Sequence, residues 1–199
     1  MIAILGTGRI GATLAKALAA CGHEVVLGSR TPSGEKRKSI SQATSVSETI
    51  VLATPFHAAQ AVLAQAADLS GKILVDCTNP FAADRSGLIV GCDDSAGEMV
   101  AGWAPGARVV KTFNHVGWEQ LADPLFPHQA AMFYCGDDAP AKHAVASLIR
   151  DLRFVPVDAG PLRAARLLEP LGMLWSQLAR EQGLGRNIAF ALLGERKDA

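Results

Sequence analysis

A short apolar strand that runs straight into three spaced glycines leaves a chain very few ways to fold. Ile2-Ala3-Ile4-Leu5 is a continuous apolar run, the pattern of a strand buried on both faces, and Gly6-Thr7-Gly8-Arg9-Ile10-Gly11 follows it without a gap. Each glycine has a separate physical task. Gly6 permits the tight turn off the strand, Gly8 lets a pyrophosphate reach bare backbone, and Gly11 lets the next helix pack close to the sheet. The helix, from about Arg9 to Cys21, places Ile10, Leu14, Ala17 and Leu18 on one face and stops at Gly22. Its first amides lack partners within the helix and, with the helix dipole, form an anion site. Strand, glycines, helix and second strand in this order predict a dinucleotide-binding fold.

The second strand, Glu24 to Leu27, selects the dinucleotide. An NAD site ends this strand in an Asp or Glu that holds the ribose 2′-hydroxyl, whereas this chain has Gly28-Ser29-Arg30-Thr31. Ser29 and Arg30 can instead donate to a 2′-phosphate, so NADP is the expected cofactor. Lys36, Arg37 and Lys38 read as a solvated charge run with the capacity to add positive potential.

Alternating strands and helices continue down the chain. Thr49 to Ala53 is a buried strand, Thr54-Pro55 opens a helix over Phe56 to Leu69, and Lys72 to Asp76 is a strand leading to Cys77-Thr78-Asn79-Pro80-Phe81. Ser95 and Glu98 read as a capping box before a short helix reaching Trp103. Arg108 to Thr112 and Ala130 to Cys135 read as strands, with a helical turn over Trp118 to Ala122 between them. A helix to about Leu152 and a strand over Arg153 to Val157 follow, the latter placed at an edge by Pro156. Residues Thr31 to Ser47 read as an abbreviated unit in which Ile40 to Ser45 forms a weak strand. The predicted fold class is α/β: a Rossmann-type, doubly wound, mostly parallel sheet over 1–157. A mostly helical C-terminal extension, 158–199, with a kink at Pro170 and a break at Gly183-Leu184-Gly185, packs on that domain or on a partner subunit.

Charged residues make up 19% of the chain and apolar ones 49%, which leaves little polar surface and predicts a homodimer. A net charge of zero argues against a nucleic-acid partner. The four cysteines show no C-x-x-C pair, as expected for reduced thiols in a cytoplasmic protein, and no apolar run is long enough to span a membrane. A strand beginning at residue 2 leaves no room for a signal peptide. The histidines, including His57, His115, His128 and His143, show no metal spacing.

These residues carry a family likeness. The chain resembles the NADPH-dependent coenzyme F420 oxidoreductases and, with them, the reductase domain of the six-transmembrane metalloreductases. The likeness rests on the glycine motif, Gly28-Ser29-Arg30, Ala53-Thr54-Pro55, Asp76 to Pro80, Val110-Lys111-Thr112-Phe113-Asn114 and Cys135-Gly136-Asp137-Asp138. Its most specific part is Asp158-Ala159-Gly160-Pro161-Leu162 leading into Arg166-Leu167-Leu168-Glu169-Pro170. The resemblance implies hydride transfer between NADP and an F420-like deazaflavin or a flavin as co-substrate. It further implies that Thr7 to Ile10 hold the pyrophosphate, Ser29 and Arg30 the 2′-phosphate, and that Thr54, His57 and Thr112 to Asn114 surround the nicotinamide. The loop after Arg30 is shorter than in the deazaflavin enzymes, and Asn114-His115-Val116-Gly117 differs from theirs where the acceptor sits.

Transfer to a flavin-type ring needs stacked rings and no protein acid, because the reduced ring can take its proton from solvent. An imine or ketone acceptor needs an acid, for which His57, His115, Lys111 and Tyr134 are the candidates. Asn114, whose amide suits the nicotinamide carboxamide, and His115, at a strand end, are the expected catalytic residues. Tyr134 reads as core, Lys111 as structurally paired, Asp76 as a strand-end acceptor, Glu169 as a kink or interface partner, and Trp175 as core or dimer contact. A small imine or ketone reductase and a non-catalytic NADPH sensor are the alternative functions.

Overall fold

Strand β1 (Ile2–Leu5) is buried along its whole length because it lies inside a sheet covered on both faces. The computed structural model describes residues 1–32, 37–124, 126 and 128–194. It contains β2 (Val25–Ser29), β3 (Arg37–Ser39), β4 (Thr49–Leu52), β5 (Ile73–Asp76), β6 (Arg108–Lys111), β7 (Ala131–Gly136) and β8 (Val155–Asp158). Seven α-helices accompany them among the described residues. They are α1 (Arg9–Ala20), α2 (Ile40–Ser45), α3 (Phe56–Leu63), α4 (Ala96–Trp103), α5 (Trp118–Ala122), α6 (Ala139–Asp151) and α7 (Ala165–Arg180).

The strand order is β3-β2-β1-β4-β5-β6-β7-β8, the expected doubly wound sheet, with β7 antiparallel to β6 and all other neighbours parallel. The order in which strands are added reverses at β1, which pairs in parallel with both β2 and β4, so a crevice opens at the carboxyl ends of these strands. The register sets what meets there. Leu5 lies opposite Gly28 on one side and Leu52 on the other, Leu52 opposite Asp76, and Asp76 opposite Lys111. Glycine loop, β2 end, Thr54 and Lys111 are therefore brought to one level.

Alternation along each strand feeds two cores. Ile4, Leu14, Val75, Val110 and Ile149 belong to one, while Leu5, Ile40, Leu52, Leu74 and Val100 belong to the other. Pro156 lies in β8, at the sheet edge as its missing N–H requires.

Four expectations are corrected. Ile40–Ser45 is helix, not strand, because Ser39 and Gln42 form a reciprocal capping box: Ser39 Oγ accepts from Gln42 N–H and Gln42 Oε1 from Ser39 N–H, each at 3.2 Å. Arg37 and Lys38 belong to β3, and Lys36 lies outside the described residues. Helix α3 stops at Leu63 rather than Leu69, ending in i to i+3 bonds from Gln65 and Ala66 N–H to Val62 and Leu63 carbonyls. The C-terminal extension is helical only from Leu162 to Arg180, a 3-10 turn at Leu162–Ala164 leading into α7. Residues 181–194 are irregular and folded back on the same chain, where Phe190 O accepts from Ala131 N–H (2.8 Å) and Ile188 O from the Trp175 indole (2.9 Å).

Candidate active site

The turn after β1 is held open by two glycines. Gly6 has φ +122°, and a Cβ there would strike the Ala53 carbonyl; a Cβ on Gly11 would strike the Gly6 carbonyl oxygen. Any larger residue at either place would push α1 off the strand. Gly8 caps α1 without a side-chain partner and has open space where a Cβ would stand, so the first amides of α1 face the crevice unobstructed.

Two cavities meet at this turn. The smaller, about 240 Å³, is lined by Gly6 to Gly8, Gly28 to Thr31 and the start of α3, and among the described residues no carboxylate lines it. Ser29 Oγ accepts from Thr31 N–H (3.2 Å), which fixes the hydroxyl beside the exposed Arg30. The larger, about 580 Å³, begins at Gly8, Arg9 and Ile10, shares Thr54 with the first and runs past His57 and Asn114 to Trp118 and Trp175. Three buried polar atoms on its wall have no partner among the described residues: Thr54 Oγ1, Thr78 Oγ1 and Trp118 Nε1. Unsatisfied buried groups are costly, so these are where a bound ligand's polar edge gains most. Uncapped amides, a carboxylate-free pocket with Ser29 and Arg30, and orphaned donors beyond it together fit an extended phosphorylated dinucleotide.

The expected site residues thus converge, with three exceptions, the first being Gly11, which lines neither cavity and packs against the Gly6 turn. Thr112 Oγ1 is turned to the Phe133 carbonyl (3.0 Å), and neither Thr112 nor His115 lines a cavity. His115 is 1% exposed. Phe133 N–H donates to its Nε2 (3.2 Å), which makes Nδ1 the protonated nitrogen, and Nδ1–H donates to Asn114 Oδ1 (3.1 Å). Both ring nitrogens are engaged, so the residue orients Asn114 and does not face the reacting groups. Asn114 in turn donates to Asn79 Oδ1 (3.0 Å) and Leu168 O (2.8 Å), while Asn79 returns a bond to Asn114 O (2.6 Å). Gly172 of α7 closes over this pair, since a Cβ there would lie 2.8 Å from Asn114 O.

Burial pushes the His115 imidazole down to about 4. A histidine held neutral in the fold contributes stability that is complete above its unfolded value near 6.5 and is lost as pH falls toward the folded one. We expect roughly 3 kcal/mol of stability to disappear between pH 6.5 and 4 through this group. Urea titrations across that range should show a flatter pH slope in His115→Gln than in the parent; identical slopes would contradict the assignment.

Beneath the crevice lies a buried ionic cluster that sequence reading only half recovers. Lys111 Nζ reaches Asp76 Oδ2 (2.8 Å), Glu169 Oε1 (2.9 Å) and Thr78 O (2.6 Å). Burial disfavours the ammonium, but the two carboxylates outweigh it and hold Lys111 above the usual lysine value. Asp76 also accepts from Thr78 N–H, the strand-end role expected of it. Glu169, expected as a kink or interface partner, has a different role within the chain: it is 1% exposed and accepts from Ala96 and Gly97 N–H (3.0 Å each), capping α4 from across the fold. Trp175 is 6% exposed and packs within the chain, yet it also lines the larger cavity, as do Trp118, Arg85, Arg180 and Arg186, for which sequence reading predicted no role there. Among the described residues, no helix is long and apolar enough to cross a membrane.

The likenesses of the chain agree with this geometry. The sequence model of the family described as NADP oxidoreductase, coenzyme F420-dependent, matches residues 1–80, which carry both cavities' shared wall. Metalloreductase STEAP3 of Rattus norvegicus is 35% identical over 187 residues, 87% of this chain, which spans only 37% of that protein's length. The F420-dependent NADP reductase of Methanothermobacter marburgensis is 30% identical over 85% of this chain and 88% of its own. A crystal structure from Arthrobacter sp. FB24, assigned provisionally as an F420-dependent NADP reductase, superposes with a TM-score of 0.89 at 32% identity over 97% of this chain and 99% of that one. Glycine turn, acid-free β2 end and full-length likeness lead to one assignment: the chain belongs to the family of coenzyme F420-dependent NADP oxidoreductases.

Proposed function

We propose that this chain is an NADPH-dependent oxidoreductase whose acceptor is a flavin-type or F420-like deazaflavin ring. The observation that carries the reading is the junction at Thr54, where a narrow pocket ending in Ser29 and Arg30 opens into a wide one walled by Trp118 and Trp175. NADPH, when bound, supplies a hydride from its nicotinamide to a ring lying against it. The protein's part is placement. The α1 amides and Arg9 suit the pyrophosphate, Ser29 and Arg30 the 2′-phosphate, and Thr54, Thr78 and His57 the nicotinamide end. Asn114, held by Asn79 and His115, forms a rigid polar floor.

Three of the four possible proton donors, His115, Lys111 and Tyr134, lie outside the larger cavity, and this favours an acceptor that protonates from solvent over an imine or ketone. The proposal includes a homodimer, supported by Leu167 and Leu174, which stand 71% and 48% exposed on α7. Stopped-flow oxidation of NADPH with F420, FMN, ferric chelates and a cyclic imine tests the activity. Turnover with F420 or FMN and none with the imine is expected; turnover of the imine alone, or tight NADPH binding with no turnover, contradicts it.

A further inference from the structure

Among the described residues, the larger cavity is lined by four arginines, Arg9, Arg85, Arg180 and Arg186, and by no carboxylate. Two of these are accounted for. Arg9 sits beside Gly8 at the pyrophosphate end with its guanidinium 5.7 Å from the Trp118 ring centre. Arg186 lies over Trp175 and pairs with Glu119 at 2.6 Å. Arg85, on the excursion after β5, and Arg180, the last residue of α7, are different: among the described residues neither has an acidic partner within ion-pair distance. Both are exposed, so they stand at the rim of the cavity. Partial burial and the charges of Arg85 and Arg186 lower the Arg180 pKa, consistent with like charges crowded around one opening. Arg85 moreover holds φ +61°, a backbone conformation that side-chain-bearing residues seldom adopt.

We infer that Arg85 and Arg180 form an anion-binding subsite at the mouth of the larger cavity, which takes a phosphate or carboxylate carried on the tail of the hydride acceptor. Like charges gathered at one opening repel one another, and an anion between them relieves that repulsion while gaining charge-assisted hydrogen bonds. The position suits the tail and not the ring. The orphaned hydroxyls and indole N–H lie in the buried wall, whereas the two guanidinium groups lie at the solvent edge, where an acceptor's substituent emerges. The cavity therefore selects ring compounds with an acidic tail over neutral ones of the same ring. This deepens the proposed function and depends on its assignment of the larger cavity to the acceptor.

Riboflavin and FMN share one ring and differ in the terminal phosphate, so they isolate the subsite. Their binding to the full chain in the presence of saturating NADP⁺, followed by quenching of flavin fluorescence, should give FMN at least about a tenfold advantage. In the Arg85→Ala/Arg180→Ala variant that ratio should fall to near one through weaker FMN binding, with riboflavin and NADP⁺ affinities unchanged. Equal affinities in the parent protein, a ratio that survives the substitutions, or binding of neither flavin would overturn the inference. Because binding is read without turnover, failure to oxidise NADPH would defeat the proposed activity and leave the subsite standing.

Discussion

Lys111→Met is expected to cost about 3–5 kcal/mol of folding stability, because it strands two carboxylates that the fold buries around one ammonium. Asp76 and Lys111 are 0% and Glu169 is 1% exposed at the side chain, so water cannot replace the lost partner. For a domain of this size the loss should lower the melting temperature by roughly 10 °C. The deficit should shrink at acid pH. Without Lys111 the folded state raises a carboxylate pKa, and such a group destabilises least when it is already protonated. Restoring an uncharged neighbourhood with Asp76→Asn and Glu169→Gln in the same chain should recover part of the loss. Urea midpoints of the single and triple variants at pH 5 and 7.5 check this; a single variant as stable as the parent would show that the cluster is not the keystone between β5, β6, α4 and α7.

Removing the donors at the end of β2 should act on the cofactor and not on the fold. Hydrogen bonds to charged groups are worth about 1.5–3 kcal/mol each, so Ser29→Ala/Arg30→Ala should weaken NADP⁺ binding by about a hundredfold or more. NAD⁺ affinity should stay within about threefold, since no carboxylate in this pocket holds its 2′-hydroxyl. The apparent KM for NADPH should rise far more than that for NADH. Equal losses for both nucleotides would mean that these side chains shape the loop and do not read the phosphate.

Local pattern and local chemistry explain how much of this molecule its sequence displays. The glycine turn, the helix behind it and the acid-free β2 end are written in neighbouring residues, and the structure brings them together as expected. The helix at Ile40–Ser45 is encoded just as locally, because Ser39 and Gln42 spell a capping box. Glu169 is different in kind. Its partners, Ala96, Gly97 and Lys111, lie 58 to 73 positions away, and only the side-by-side register of β5 and β6 with α7 behind them brings the four together.

The site was legible in its floor and not in its roof. Asn114, expected beside the nicotinamide, lines the larger cavity, but the strand-end position of His115 hides its orientation, since alternation at a chain bend cannot say which way a ring turns. Gly183-Leu184-Gly185 marks a break after Arg180, but nothing local says that the residues beyond it are irregular, because their hydrogen bonds go to β7 and Trp175. That folded-back segment brings Arg186 over Trp175 and completes the cavity wall.

The central claim, that the β2 end of this chain selects the phosphorylated dinucleotide, is tested most directly by calorimetric titration of the purified protein with NADP⁺ and NAD⁺ at one ionic strength. The account predicts NADP⁺ binding at least about a hundredfold tighter than NAD⁺. Comparable affinities, a preference for NAD⁺, or no heat with either would contradict it.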